Sequence, residues 1–106
     1  MSESNPSMPD GALYMIDKKL EIHEIVKGIH ISNSITTSLD NRFLYYADTY
    51  KKLIFKADLN KKKPYLDKSS IIIDNKNLKG FPDGSTIDND GCLWNAEWNG
   101  GQLVQY

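Results

Sequence analysis

Residues 38–56, SLDNRFLYYADTYKKLIFK, align without a gap on residues 87–105, IDNDGCLWNAEWNGGQLVQ. The alignment sets Leu44 over Leu93, Tyr45 over Trp94, Ala47 over Ala96 and Phe55 over Val104, an offset of 49 residues. Each copy reads as a strand, an Asn/Asp turn, an aromatic-rich strand, a second turn and a third strand. A period of ~40–50 residues built from antiparallel strands is that of one β-propeller blade. The segment SSIIID supplies a fourth strand after the first copy, and the second copy reaches Tyr106 after its third strand. One repeat, a shortened second and a preceding piece do not close a ring, and propellers protect their edges by radial repetition. The expectation is an incomplete fragment.

The rest of the chain obeys the same grammar. Residues 12–17, 21–27, 31–38, 43–48, 53–59, 69–74, 84–88, 92–98 and 102–106 are short, rich in β-branched and aromatic residues, and partly alternating. Between them lie DKK, LDNR, TYKK, NKKKP, NDG and NGG, whose Asn, Asp and Gly residues tolerate the left-handed backbone of tight hairpins. No segment carries an apolar stripe at helical spacing, so the fold class is all-β, an antiparallel meander. Thirteen Lys and Arg balance fourteen Asp and Glu in 106 residues that are 40% hydrophobic. This is the balance of a globular domain and gives no default toward nucleic acid. Cys92 is the sole cysteine, which excludes an internal disulfide and favours a reducing compartment. The N-terminus lacks the features of a secretory signal, and no apolar run approaches the roughly 18 residues of a membrane span. The expectation is a cytoplasmic protein with neither a membrane nor a nucleic-acid partner.

In GFPDGSTIDNDGCLWNAEW, residues 80–98, Asp83 stands between a proline that restricts the backbone and a glycine that permits a tight turn. On the residues alone, Asp83 and Asn33 read as turn-capping side chains. TIDNDGCLWNAE, residues 86–97, imitates a calcium loop with Asp88, Asp90, Gly91 and Glu97 in ligand-like register. Thr86 in the first ligand position and strand-like flanks make a hairpin turn at Asn89-Asp90-Gly91 the better reading. The lysine clusters read as solvated loops, and His23 and His30 as isolated sheet positions. Tyr45, Tyr46, Trp94, Trp98 and Cys92 read as packing residues within and between blades, and Asp48 as structural.

Taken in order, Ser32-Asn33-Ser34, Tyr45-Tyr46-Ala47-Asp48-Thr49, Pro82-Asp83-Gly84, Asp90-Gly91-Cys92-Leu93-Trp94 and Gly100-Gly101 resemble the senescence marker protein, gluconolactonase and luciferin-regenerating enzyme-like family, which includes regucalcin. The resemblance runs from about Gly11 to the end. It implies a fragment from the middle of a six-bladed β-propeller, about two blades, with Met1 an internal methionine. Residues 1–10 would be a variable loop, 11–30 the end of a preceding blade, 31–79 one blade and 80–106 a truncated following blade.

The resemblance also implies a divalent cation, Ca, Zn, Mn or Mg, held by Asn33 and Asp83 together with a glutamate from a region outside this chain. Both are hard oxygen donors suited to such ions. Asp83 would serve as general base in hydrolysis of a sugar lactone such as gluconolactone, and Glu3 is the position implied for substrate binding. Ser34 departs from the family glycine at a place where the backbone calls for a positive φ. Three readings stay open: a fragment of a lactonase, inactive alone and completed by a complementary propeller fragment; a non-catalytic, regucalcin-like cation-binding or interaction protein that self-associates through open strand edges; and a degraded gene remnant.

Overall fold

The computed structural model describes residues 7–59, 62, 63 and 65–106. The described residues form strands β1 (Gly11–Ile16), β2 (Ile22–Ile29), β3 (Ser32–Thr37), β4 (Phe43–Asp48), β5 (Leu53–Leu59), β6 (Leu66–Asp74), β7 (Phe81–Ile87), β8 (Leu93–Trp98) and β9 (Gln102–Gln105). They contain no helix, and so none long and apolar enough to cross a membrane. The strands make three antiparallel meanders in simple sequence order: β1-β2, then β3-β4-β5-β6, then β7-β8-β9. The all-β expectation is met.

β6 and β7 each begin three residues earlier than the sequence pattern suggests. The charged Asp67 and Lys68 hide the start of β6, where Leu66 nevertheless pairs with Leu59. Pro82 hides the start of β7, but β7 is an edge strand of its sheet, a position that tolerates proline.

The core lies between the sheets. Ile29, Leu44, Tyr46 and Ala57 form one buried cluster, with Leu13, Val26 and Phe55 against it. Ala47, Ile54 and Leu93 form a second, flanked by Ile73 and Ile87. The alternating inward residues of β4 and β5 thus serve both interfaces. The rings of Tyr46 and Phe55 stack with centroids 5.0 Å apart. A hydrogen bond and a strand contact tie the second and third sheets together. Thr49 donates its hydroxyl proton to the Pro82 carbonyl at 2.6 Å, and β3 packs directly against β7.

Candidate metal centre

The two innermost strands carry matching irregularities. In β3, Asn33 pairs with Ala47 and Thr36 with Tyr45, so three steps on one strand answer two on the other. In β7, Pro82 pairs with Glu97 and Ser85 with Asn95, again three against two. Each strand therefore holds a one-residue bulge, the device by which a strand re-aims a side chain without leaving its sheet. Asn33 precedes the first bulge and Asp83 lies in the second.

The bulges turn both side chains to the same point. Asn33 Nδ2 donates to Asp83 Oδ1 at 2.7 Å, although the residues stand 50 positions apart. Asn33 Oδ1 accepts from the backbone N–H of Ser34 at 2.9 Å. The pair lies at one side of a cavity of about 630 Å³, lined also by Ile31, Thr49, Tyr50, Phe81 and Trp98.

The strand entrance that presents Asn33 is held by a buried carboxylate. Asp48, 3% exposed, accepts from the backbone N–H of His30 and Ile31 at 3.1 and 3.2 Å and pairs with His30 Nδ1 at 2.9 Å. The His30 ring stacks on Tyr50, centroids 5.1 Å apart, and so supports the cavity wall. These bonds give Asp48 the structural role that its place at a strand end suggests.

Ser34 takes a φ of +60°, the left-handed conformation that its departure from glycine puts at issue. Trp98 differs from expectation. It packs tilted against Phe81 of its own sheet at 5.7 Å but remains 63% exposed at the cavity wall. His23 is not isolated either. Its Nε2 meets Asp17 Oδ2 at 2.9 Å, and Glu21 completes a group of ligand atoms within 4.8 Å of one another. Asp17 Oδ1 accepts from the backbone N–H of Lys19 and Glu21, which accounts for Asp17 as the anchor of the β1-β2 turn. Sequence separation hid this group, since Asp17 and Glu21 look like ordinary turn acids. Glu3 lies outside the described residues.

Asp88 shows why the calcium-loop imitation is a hairpin. It accepts from the backbone N–H of Asp90 and Cys92, both at 2.9 Å, and from Trp94 Nε1 at 2.7 Å. Gly91 adopts φ +83° at the turn. The indole bond, then the Cys92 N–H, hold the Asp88 carboxyl below its ordinary value.

Comparison with known proteins places the chain in a family. The family model described as the SMP-30/Gluconolactonase/LRE-like region matches residues 1–106. The chain belongs to this family. It is 30% identical over 106 residues to an L-arabinolactonase of Azospirillum brasilense, covering 97% of this chain and 34% of that one. It is 29% identical over 103 residues to a regucalcin of Danio rerio, covering 97% and 35%. The crystal structure of a calcium-binding protein, regucalcin, from Agrobacterium tumefaciens superposes with a TM-score of 0.89 at 29% identity, over all of this chain and 36% of that one. The chain thus spans about a third of the length of these relatives, and its three sheets have the fold of the corresponding part of their propeller.

The donor set fits a hard divalent cation in kind: one carboxylate and one amide oxygen, on a cavity wall open enough for water to complete the shell. The Asn33 amide now turns its nitrogen to Asp83.

Proposed function

We propose that this chain supplies two ligands, Asn33 and Asp83, and the general base, Asp83, of a divalent-metal-dependent sugar lactone hydrolase, and that it is inactive by itself. The observation that carries the reading is the 2.7 Å meeting of Asn33 and Asp83 across two sheets at the wall of one cavity. A turn-capping Asp at position 83 would instead accept from the backbone of its own turn, as Asp17 and Asp88 do. The lactonase names of relatives support the substrate class.

A bound divalent cation supplies Lewis-acid polarisation of the lactone carbonyl. The remaining work belongs to the chain. Asp83 Oδ1 is occupied by Asn33, and Oδ2 has no hydrogen-bond partner among the described residues. In this reading Oδ2 takes a proton from the attacking water as its oxygen bonds to the carbonyl carbon. The ring C–O bond then breaks, and the proton held by Asp83 passes to the departing ring oxygen, which leaves an aldonic acid. Phe81, Tyr50 and Trp98 give the cavity an apolar wall against which the carbon face of a sugar ring can lie.

The test is calorimetric and kinetic. The chain is expected to bind Mn or Ca weakly, with Asp83→Asn lowering affinity at least about tenfold, since a charged ligand is worth more than ~1.4 kcal/mol. Gluconolactone hydrolysis should stay at the uncatalysed rate with Ca, Zn, Mn or Mg. Turnover abolished by Asp83→Asn would overturn the inactivity, and cation binding indifferent to that substitution would overturn the site. The runner-up, a regucalcin-like cation-binding protein without hydrolysis, is favoured by the calcium-binding description of the Agrobacterium structure. Lactonase turnover on supplying the remaining two thirds of a relative's propeller as a second polypeptide decides between the two.

A further inference from the structure

Behind Asn33 and Asp83 sits a buried polar cluster that no turn or ladder requires. Ser34, 2% exposed, and Ser85 share a short hydroxyl–hydroxyl hydrogen bond. Asn95, wholly buried, donates from Nδ2 to Ser34 Oγ at 2.9 Å, to Ser85 Oγ at 2.8 Å and to the Gly84 carbonyl at 3.3 Å. Its own Oδ1 is buried with no partner among the described residues. An unpaired buried acceptor is costly, and such a group calls for an explanation.

Ser34 offers one. A residue with a Cβ at φ +60° is strained relative to glycine. Ser34 is also the residue whose N–H holds Asn33 Oδ1, and so the side-chain orientation of Asn33. Its hydroxyl is gripped by Asn95 from β8 and by Ser85, which follows the bulge that contains Asp83. The grip joins the two bulges to each other.

We propose that Ser34, Ser85 and Asn95 are positioning residues: their hydrogen bonds hold Ser34 in the left-handed conformation and thereby set the Asn33 amide against Asp83. The inference rests on the cation-site reading for its purpose, but its geometry stands apart from any metal. It requires the importance of Asn95 to depend on the Cβ at position 34. With glycine there, the left-handed backbone needs no grip.

The experiment follows the Asn33 side-chain amide by nitrogen-edited NMR, with proton exchange measured by water saturation transfer. Ser34→Ala keeps the strain and loses the grip, and should speed exchange of the Asn33 Nδ2 protons on the order of tenfold, the size expected when a strained left-handed residue loses its anchor. Ser34→Gly should stay within about twofold of the parent, since the strain is gone. Asn95→Ala should speed exchange in the Ser34 chain and have little effect in the Ser34→Gly chain. A merely structural Asn95 would act equally in both backgrounds, and equal effects overturn the proposal. So do equal rates in Ser34→Ala and Ser34→Gly. If Asn95→Ala does not fold, the two Ser34 variants decide alone. A Ca titration of the parent then separates the two ideas: an Asn33 amide that ignores Ca sinks the cation reading and leaves the background dependence of Asn95 intact.

Discussion

Thr49 is buried at 7% exposure and gives its hydroxyl proton to the Pro82 carbonyl, the residue before Asp83. Thr49→Val keeps the shape and removes the donor, leaving a buried carbonyl short of a partner. The expected loss is ~1–3 kcal/mol of unfolding free energy, read as a lower urea midpoint at unchanged slope. A midpoint unmoved by the substitution would show that water takes over the carbonyl. At the scale of single residues, Asn33 and Asp83 read alone as turn caps, and only the family resemblance singled out the two side chains that the fold brings to 2.7 Å of each other. The positive φ of Ser34 was legible too, through its departure from glycine. What answers that strain was not, because Asn95 lies 61 residues away and looks in sequence like any polar residue among aromatics. The exposure of Trp98 was hidden for the same reason: an aromatic side chain reads as core until the neighbouring sheet is placed.

At the scale of elements, the turn chemistry explains why the strands were easy to read. Asp17, Asp40, Asp74 and Asp88 each accept one or two backbone N–H groups within their own turns. Hydrogen bonding holds all four carboxyls below the ordinary value of 3.8: chiefly His23 for Asp17, Ser38 for Asp40, the Lys76 N–H for Asp74 and Trp94 for Asp88. A carboxyl with a depressed folded pKa contributes stability that is present above its unfolded value and is lost as pH falls through its folded value. The hairpins should therefore hold down to about pH 4 and loosen below it. The indole N–H resonance of Trp94 is the local reporter. It should shift with an acid midpoint below 3.8, and in Asp88→Asn that transition should vanish. A midpoint above 3.8 would mean that the Trp94 bond does not favour the carboxylate. The strands were thus signalled by their turns. The bulges in β3 and β7 were not, since one extra residue in a strand leaves no mark in composition and only cross-strand pairing reveals it.

For the molecule as a whole, burial is unequal among the three sheets, and this sets where it opens first. β4 and β5 lie inside their four-stranded sheet, and supply Leu44, Tyr46 and Ala57 to one buried cluster and Ala47 and Ile54 to the other. The β1-β2 sheet has two strands and contributes only Ile29 to the buried set, while Tyr14, Ile16 and Ile22 are from 57% to 70% exposed. A two-stranded sheet is marginal in water without packing, and propeller blades gain most of their stability from neighbours on both faces. Native-state hydrogen exchange should accordingly rank the ladder amides. Those pairing β4 with β5 should exchange near the global unfolding rate, and those pairing β1 with β2 the fastest of the ladders, by sub-global opening. Residues of β7 facing β8 should fall between, because Leu93 and the Thr49–Pro82 bond anchor that sheet on one side only. The Asn33–Asp83 pair inherits this order. Asn33 is paired to β4 and Asp83 sits on the less anchored β7, so opening of the β7-β8-β9 sheet separates the two side chains while the four-stranded sheet persists. A saturating cation that bridges Asn33 and Asp83 should therefore slow exchange in β7 and β8 selectively and leave β1 and β2 unchanged. Uniform slowing across all three sheets would instead mean that they unfold as a single unit, and protection confined to β3 would place the ion on Asn33 without Asp83.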